Sequence, residues 1–374
     1  MMWRRPYIRA SDNLAKESDN FLMTRATRPE IAQFILDHVD EHPRDVGPIT
    51  AGVFGVTRAT ATNYLKRLVA EGLLLESGKT KAKTYALRIL DGVNGAAEIG
   101  PGSEDDAVWR AEIRPRMSEL PENVLQICQY GFTEMVNNAI DHSGSPTYTW
   151  GYNRTAKQVV LWVKDEGVGI FEKIRLDCKL NDDREALLEL AKGKLTSDPK
   201  RHTGEGIFFT SRMFDRFQLY SHHLQYDRER EDNDQWLLEV TNPEHYTPGT
   251  GVIMKLDVDT ARVPAEVFKK YEDDNSGFSK THFHVALAKI GDDQLISRSQ
   301  ARRLVARLEK FTEVCLDFVG VATIGQGFAD EIFRVFQSEH PNVHIEAIRT
   351  SPEVRSMIDH VLAAASGDRQ QALL

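Results

Sequence analysis

The stretch from residue 131 to residue 169 constrains this sequence more than any other, because a helical pattern there is followed by a buried strand. In GFTEMVNNAIDHSG, Glu134, Asn138 and Asp141 stand at i, i+4 and i+7, so one face of the predicted helix carries all three. The strand QVVLWVKD is near-continuously apolar, as a strand in the core of a sheet should be, and it ends in DEGVG. The stretch therefore predicts a ligand site between a helix and a sheet.

The polar groups of this helix suit a magnesium ion beside a nucleotide. Carboxylate and carboxamide oxygens are hard ligands, and Mg²⁺ takes one or two protein ligands beside nucleotide phosphates. Asn138 is the candidate ligand, and Glu134 is the candidate group that orients or deprotonates an attacking group. A glutamate on a helix surface is more often simply solvated, so the neighbouring motifs decide between these interpretations.

The strand end DEGVG adds features that suit a planar base. Asp165 can accept a hydrogen bond from an exocyclic amino group, while Gly167 and Gly169 let the backbone approach closely. A lone DxGxG is a weak turn signal. Its position after the polar helix makes it a stronger one.

Two later motifs supply contacts to phosphate and base. The segment TGEGI, which begins at Thr203, places Gly204 and Gly206 before a helix, where backbone N–H groups favour phosphate oxygens. Thr250, in PGTGV, can reach the base from a neighbouring strand. Between these motifs, residues 171–203 are long, charged and only partly periodic, which predicts a functional lid or a disordered loop.

These four motifs, in this order, resemble the N, G1, G2 and last boxes of the GHKL superfamily, which includes gyrase, the large heat-shock chaperone, histidine kinases and the mismatch-repair ATPase. The resemblance covers about residues 107–257. It implies the Bergerat α/β sandwich, with ATP and Mg²⁺ between the sheet and a mobile lid. The motif spacing is most similar to that of the anti-sigma factor serine kinases.

The resemblance also implies a role for each matched residue. Glu134 falls at the catalytic base, Asn138 at the Mg²⁺ ligand and Asp165 at the adenine contact. The other implied nucleotide-binding residues are Asp141, His142, Gly167, Gly169, Thr203, Gly204, Gly206 and Thr250. For His142, a favourable charge at the helix C-terminus is an equal alternative. No upstream dimerisation helix carries a phosphoacceptor histidine, since His38 and His42 lie in or beside the first helix of the N-terminal domain, and this argues against an orthodox sensor histidine kinase.

Residues 28–93 show the order helix, helix, turn, helix and basic hairpin, which resembles the bacterial winged helix-turn-helix regulators. In such domains the third helix enters the major groove and the wing follows the DNA backbone. Residues 58–88 carry seven basic and two acidic side chains, a net charge of +5 in a chain whose net charge is -9. The candidate contacts to double-stranded DNA are Arg58, Thr60, Asn63, Lys66, Arg67, Lys79, Lys81 and Lys83. The alternative is a solvated wing on a domain that binds protein.

The C-terminal part alternates strand and helix, which predicts a small α/β domain. VCLDFVGVATIGQGFADEIFRVF is similar to the strand, loop and helix of the STAS fold over about residues 282–366. In antagonists of that family the loop carries a phosphorylatable serine. Here the corresponding loop, Ile324 to Gly327, has no hydroxyl, and the nearby Thr323 is interpreted as a strand-end residue. The STAS-like domain is the candidate surface for a regulatory protein partner.

With 374 residues the chain exceeds what one hydrophobic core usually serves, so several domains are expected. The predicted fold class is a multidomain α+β and α/β protein. The predicted segments are a flexible arm (1–27), a winged helix (28–93), a linker (94–106), the ATP-binding domain (107–257), a linker (258–281), the STAS-like domain (282–366) and a tail (367–374). Three distant cysteines without a CxxC and no long apolar run predict a cytoplasmic protein without zinc, disulfides or membrane contact.

These observations predict an ATP-Mg-binding regulator of transcription, in which the ATPase domain controls DNA or partner binding by the winged helix and the STAS-like domain. The alternative is a serine/threonine protein kinase of the anti-sigma factor type acting on a partner. A third interpretation is an ATP site with negligible turnover. The chain is thus a candidate ATPase or protein kinase, and its oligomeric state is not predicted.

Overall fold

The computed structural model describes residues 28–79, 82–195, 204–229, 234–239, 246–273, 277–289 and 294–371. The arm predicted over residues 1–27 lies outside these ranges. In the described part, the chain forms two compact units, one of residues 28–91 with 154–158 and one of residues 92–153 with the chain from 159 onward. Among the described residues, no helix has the length and apolar character needed to cross a membrane.

The first unit contains three helices followed by a hairpin, which is the element order expected from the sequence. Its elements are α1 (Arg28–His38), α2 (Val46–Val53), α3 (Arg58–Ala70), β1 (Leu74–Ser77) and β2 (Thr84–Leu87). The two strands pair antiparallel. Apolar residues at helical spacing, among them Ile35, Leu65 and Leu68, are buried together in its core. At the start of α3, the Thr57 hydroxyl accepts a hydrogen bond from the Thr60 N–H and caps the helix.

The second unit is built on a seven-stranded sheet with the strand order β3-β4-β5-β9-β6-β7-β8. The strands are β3 (Asp91–Glu98), β4 (Thr147–Arg154), β5 (Gln158–Asp165), β6 (Arg216–His222), β7 (Leu224–Glu229), β8 (Asp234–Glu239) and β9 (Thr247–Asp257). The helices along this part of the chain are α4 (Glu122–His142), α5 (Ile170–Cys178), α6 (Asp183–Lys192), α7 (Gly206–Met213) and α8 (Pro264–Tyr271). Two short helical segments, Trp109–Ile113 and Arg114–Met117, precede α4.

Helix α4 turns its apolar face to the core and its polar face away from it. Phe132, Met135 and Val136 are buried, whereas Glu134 and Asn138 are only partly covered. Gly131 lets α7 come close, since a Cβ there would lie 2.4 Å from the ring of Phe214. The predicted division of this helix into an apolar and a polar face is therefore present in the structure.

Three segments differ from their expected form. Residues 91–98 form strand β3 of the seven-stranded sheet, where the sequence predicted a linker over 94–106. The predicted lid (171–203) contains two helices, α5 and α6, in its described part, and the predicted linker (258–281) contains α8. In each case the local sequence pattern does not indicate a helix or strand, and contacts with the sheet or with the C-terminal part stabilise it.

The chain ends in what we call the C-terminal α/β layer, residues 280–371. Its parallel strands, in the order β10-β11-β12, are β10 (Lys280–His284), β11 (Glu313–Asp317) and β12 (His344–Ile348). Its helices are α9 (Arg298–Val305), α10 (Gln326–Asp330), α11 (Gln337–Glu339) and α12 (Pro352–Gln371), and a π-helical segment, Glu331–Phe336, joins α10 to α11. The alternation of strand and helix is as predicted, although α12 continues past residue 366 into the predicted tail.

Candidate functional site

A cavity of about 320 Å³ lies beside α4, with strands β5 and β9 and helices α5 to α7 supplying its other walls. It brings together eight of the predicted nucleotide-site residues, which are distant in sequence. They are Glu134, Asn138, His142, Asp165, Gly169, Gly204, Gly206 and Thr250. Asp141 is exposed and does not line the cavity, because it lies beyond the covered face at the end of α4. Gly167 lies in the adjoining turn, and Thr203 lies outside the described residues.

Asp165 occupies the end of β5 on the cavity wall, with only 5% of its surface exposed. Its Oδ1 accepts hydrogen bonds from the N–H groups of Gly167, at 2.9 Å, and Thr250, at 3.2 Å. Burial raises the pKa of Asp165, and these backbone hydrogen bonds offset part of that effect. Both bonds end on Oδ1, which leaves Oδ2 to accept a hydrogen bond from a ligand.

The turns around Asp165 have no room for side chains. Gly169 has φ of +82°, and a Cβ there would lie 2.6 Å from Ser221 Oγ. Gly249 has φ of +66°, and its Cβ would lie 2.4 Å from the carbonyl oxygen of Asp165. Gly249 was not among the predicted residues, although its place before Thr250 in PGTGV is a signal that the sequence contains. Glycine at Gly169 keeps backbone rather than a side chain at the cavity, and glycine at Gly249 lets β9 approach the backbone of Asp165.

The Thr250 side chain joins the sheet to the wall of the cavity. Its Oγ1 accepts a hydrogen bond from the N–H of Ile170, at 2.9 Å, at the first residue of α5. The backbone N–H of Thr250 is already bonded to Asp165. Thr250 therefore fixes the strand end, the following turn and the start of α5 relative to one another.

Glu134 lies across the cavity, close to the N-terminus of α7. A Cβ on Gly206, the first residue of α7, would lie 2.0 Å from Glu134 Oε2. Burial raises the pKa of the Glu134 carboxyl group, and the negative charges of Asp105 and Glu205 raise it further. One turn along α4, the Nδ2 atom of Asn138 is buried without a hydrogen-bond partner among the described residues. Such an atom is usually satisfied, so it is a place where a ligand can bond.

Sequence reasoning missed several residues that line the same cavity. They are Asn137 from α4 and Lys173, Asp177 and Cys178 from α5. Lys173 Nζ lies 2.9 Å from Asp177 Oδ2, and such an i, i+4 pair in a sequence is typical of a solvated helix surface. Only the folding of α5 over the cavity reveals that these side chains belong to the site.

The residues present fit a magnesium nucleotide. In the described part of the chain, no three His, Cys, Asp or Glu side chains are grouped to hold a metal, so a cation here needs phosphate oxygens to complete its ligands. The N-terminus of α7, with Gly204 and Gly206 at the cavity, favours an anion. Apolar side chains suited to a flat base line the remaining wall: Met135, Ala139, Val163, Ile170 and Val252.

The predicted DNA contacts differ in their availability. Arg58, Asn63, Lys66 and Lys79 are exposed, whereas Thr60 is half-buried at the capped start of α3. Two of the predicted cations are already paired, as Arg67 lies 3.4 Å from Glu71 and Lys83 lies 2.7 Å from Glu76. Lys81 lies outside the described residues.

The loop between β11 and α10 is placed as the STAS resemblance implies. Ile324 is buried and pairs in a short bridge with Leu295, and α10 begins at Gln326. Thr323 was interpreted as a strand-end residue, but β11 ends at Asp317 and Thr323 is exposed in the loop. The Phe318 turn, closed by a hydrogen bond from Val321, ends the strand earlier than its apolar pattern suggests.

Comparison with known proteins adds one finding. Residues 300–355 match a protein family described as a STAS-like domain of unknown function (DUF4325). The match lies within the C-terminal α/β layer, from α9 to the start of α12, and does not reach the cavity. No curated protein matches the chain.

Proposed function

Starting from a chain with a STAS-like C-terminal part, we propose that the cavity of the second unit binds ATP with Mg²⁺ and hydrolyses it, in the manner of the GHKL superfamily. In this proposal the seven-stranded sheet with α4 to α7 is a Bergerat-type ATP-binding domain. When bound, Mg²⁺ neutralises charge on the phosphates and orients them. Asn138 is its protein ligand.

The observation that carries the proposal is the setting of Asp165. A buried carboxylate with one free oxygen, fixed by two backbone N–H groups and surrounded by turns without side chains, suits the exocyclic amino group of adenine. Across the cavity, Glu134 holds a carboxylate beside the anion-favouring end of α7. Glu134 then takes the proton of the attacking water.

The test is nucleotide binding by the full chain. Asp165→Asn presents an amide at the atom that must accept, so we expect the affinity for ATP-Mg to fall at least about tenfold in calorimetry. The matched control is Asp359→Asn, which removes a charge at an exposed position on α12 and should bind like the natural chain. GTP carries a carbonyl where ATP carries the amino group, so it should bind at least about tenfold more weakly. Equal binding of ATP by the chain and by Asp165→Asn would contradict the proposal.

The fate of the γ-phosphate separates an ATPase switch from a protein kinase. Labelled ATP that yields free phosphate, with no labelled protein, supports the switch. Label on a partner serine or threonine, lost in Glu134→Ala, supports an anti-sigma-type kinase. ATP binding with neither product indicates a nucleotide that regulates without turnover.

A second proposed function is binding of double-stranded DNA by the first unit, acting as a winged helix. It is supported by the exposed Arg58, Asn63 and Lys66 on α3, whose first turn has no acidic side chain. Arg58→Ala and Lys66→Ala should each weaken binding to mixed-sequence DNA, whereas the exposed Lys179→Ala should not. Each lost phosphate contact should reduce the slope of log affinity against log salt by about 0.9. Absence of DNA binding at low salt would refute this function, and ATP-Mg that changes the affinity would connect it to the cavity.

A further inference from the structure

Helices α5 and α6 form one wall of the cavity, and α6 carries a row of charged side chains away from it. We call residues 170–195 the α5–α6 wall; its members on the cavity side include Lys173, Cys178, Leu190 and Leu195. Glu185, Glu189 and Lys192 stand at i, i+4 and i+7 on α6, so they share a face. All three face α9 of the C-terminal α/β layer.

Lys192 is the most deeply buried member of this row, with 1% of its surface exposed. Its ammonium group donates to Glu189 Oε1 at 2.6 Å and to the carbonyl oxygens of Arg303 at 3.1 Å and Ala306 at 2.9 Å. These carbonyls lie at the C-terminal end of α9, in its last turn and at the residue that follows it, where a cation is favoured by the helix dipole. The lysine of one helix thus caps the other, and all three of its N–H groups have partners.

Arg307, just beyond α9, contacts the C-terminal ends of both α5 and α6. Its guanidinium donates to the carbonyl oxygen of Lys194 at 3.0 Å and to Cys178 Sγ at 3.4 Å, and its Nε lies 3.5 Å from Glu189 Oε2. The residue has φ of +67°, a conformation that costs free energy for a side chain other than glycine. The contacts that it makes on the wall stabilise this backbone conformation.

A second ion pair connects α6 directly with α9. Arg303 Nε lies 3.5 Å from Glu185 Oε1, which is one turn before Glu189 on α6. Arg302, on the same helix, pairs instead with Glu331 inside the C-terminal α/β layer, at 2.7 Å. The charges of α9 are therefore divided between the wall and the layer itself.

We propose that Arg307 is a positioning residue for the nucleotide site, through which the C-terminal α/β layer holds the α5–α6 wall against bound ATP. This inference rests on the proposed ATP function. Arg307 belongs to the segment that matches the STAS-like family, so that segment is a part of the ATP site's support as well as a surface for partners. Because coupling between sites is reciprocal, a partner that moves α9 changes ATP affinity, and ATP changes the affinity for that partner by the same factor.

The first experiment compares Arg307→Ala with Arg307→Lys and with Arg302→Ala as the matched control on α9. Without nucleotide, Arg307→Ala should speed amide hydrogen exchange in α5 and α6, while Arg302→Ala should leave both helices unchanged. With ATP-Mg, Arg307→Ala should weaken binding about tenfold, in the range usual for coupled sites. Arg307→Lys keeps the positive charge but not the planar array of guanidinium N–H donors. Its affinity for ATP-Mg should therefore lie between those of Arg307→Ala and the natural chain.

The second experiment uses the less buried pair, which removes any dependence on a variant that fails to fold. Glu185→Arg and Arg303→Glu should each weaken ATP binding, and the double exchange should restore it, since opposite charges again face each other. A double variant as weak as the sum of the two single variants would overturn the inference.

The outcomes distinguish a failure of the Arg307 inference from a failure of the proposed ATP function. A natural chain that binds no nucleotide contradicts the ATP function, and exchange in α5 and α6 without nucleotide still tests whether Arg307 holds the wall. A natural chain that binds ATP, with Arg307→Ala binding equally well and exchanging equally slowly, overturns the inference and leaves the ATP function standing.

Discussion

At Glu134, burial and two neighbouring carboxylates act in the same direction on one carboxyl group. Each raises its pKa, because each disfavours the charged form. A carboxylate with a raised pKa is a stronger base than an ordinary glutamate. The environment of this residue thus suits a general base better than a surface ion pair.

Glu134→Gln should separate catalysis from binding. The amide keeps the shape of the side chain but cannot take a proton, so we expect ATP hydrolysis to fall about 10²- to 10⁴-fold with ATP affinity nearly unchanged. Glu122→Gln, an exposed glutamate in the first turn of the same helix, is the matched control and should hydrolyse normally.

The pH dependence of hydrolysis tests the role of Glu134 as a base independently. The rate should fall as the pH is lowered through the pKa of Glu134, which lies above its usual value of 4.5, because the protonated carboxyl is no longer a base. The residual rate of Glu134→Gln should not have this acidic limb. An acidic limb that persists in the variant would assign the proton transfer to another group.

Gly206→Ala should impair the site with little effect on folding. The new Cβ would meet Glu134 Oε2 at 2.0 Å, and that atom, at the end of a flexible side chain, can rotate away. We expect thermal stability to change by less than about 1 kcal/mol, while hydrolysis falls at least about tenfold because the carboxylate is displaced. Gly100→Ala is the control, since no atom lies within 4 Å of its Cβ. A large loss of stability would show that the residue acts in packing.

Among the elements, α4 was predictable because its apolar residues recur at helical spacing, and β5 because its residues are near-continuously apolar. Helix α4 extends for 21 residues with one apolar face, and β5 ends at the Asp165 that its sequence marks. The α5–α6 wall was expected as a lid or loop, because its polar surface masks the apolar positions of α6. Those positions are buried by neighbours distant in sequence, and the residues of the wall that line the cavity became visible only once these neighbours were placed.

Strand β3 was not predicted, because its local sequence resembles a linker. Its sequence, DGVNGAAE, reads as glycine-rich and polar, and the prediction of a linker followed from that composition. In the structure Gly95 lies against the ring of Trp150 on β4, where its Cβ would be 2.9 Å from the indole. The glycine is there for close approach to a tryptophan, which the local sequence alone does not reveal.

The three parallel strands of the C-terminal α/β layer meet in a charged network at Asp317, a fully buried residue. His282 Nε2 lies 3.0 Å from its carboxylate, and Arg349 Nε donates to it at 2.9 Å. Burial alone would raise the pKa of Asp317, but the hydrogen bonds from His282 and Arg349 outweigh it and lower the pKa. The network therefore joins β10 and the end of β11 to the residue that follows β12.

Asp317→Asn should destabilise this layer by about 3 kcal/mol in denaturant unfolding, because it removes the negative charge that Arg349 pairs with. A carboxylate with a lowered pKa stabilises the folded state above its unfolded pKa of about 3.8, and that stability is lost as the pH falls through the folded value. The difference between the natural chain and the variant should hence be full at neutral pH and shrink below about pH 4. A difference that stays constant with pH would assign the effect to packing rather than charge.

At the scale of the whole molecule, charge is distributed unevenly. The chain carries a net charge of -9, yet residues 58–88 carry +5. A uniformly acidic protein would be repelled by DNA, so a local basic face is the condition under which the first unit could bind it. The mixed, multidomain character of the fold and eight residues that line the cavity were predicted from motifs in the sequence. The contacts between α6 and the end of α9 were not predicted, because the residues that make them are more than 100 positions apart.

The place of β9 in the seven-stranded sheet has a consequence for synthesis on the ribosome. The last strand of the sheet to be made is inserted between β5 and β6, so until residues 247–257 emerge the strands made before it form two groups, β3-β4-β5 and β6-β7-β8, each with an open edge. Co-translational folding of this sheet therefore stops short of completion until β9 has been made. In a nascent chain arrested before residue 247, β5 and β6 would each expose unpaired backbone N–H and C=O groups that chaperones can bind. In a chain released after residue 257, β9 would cover both.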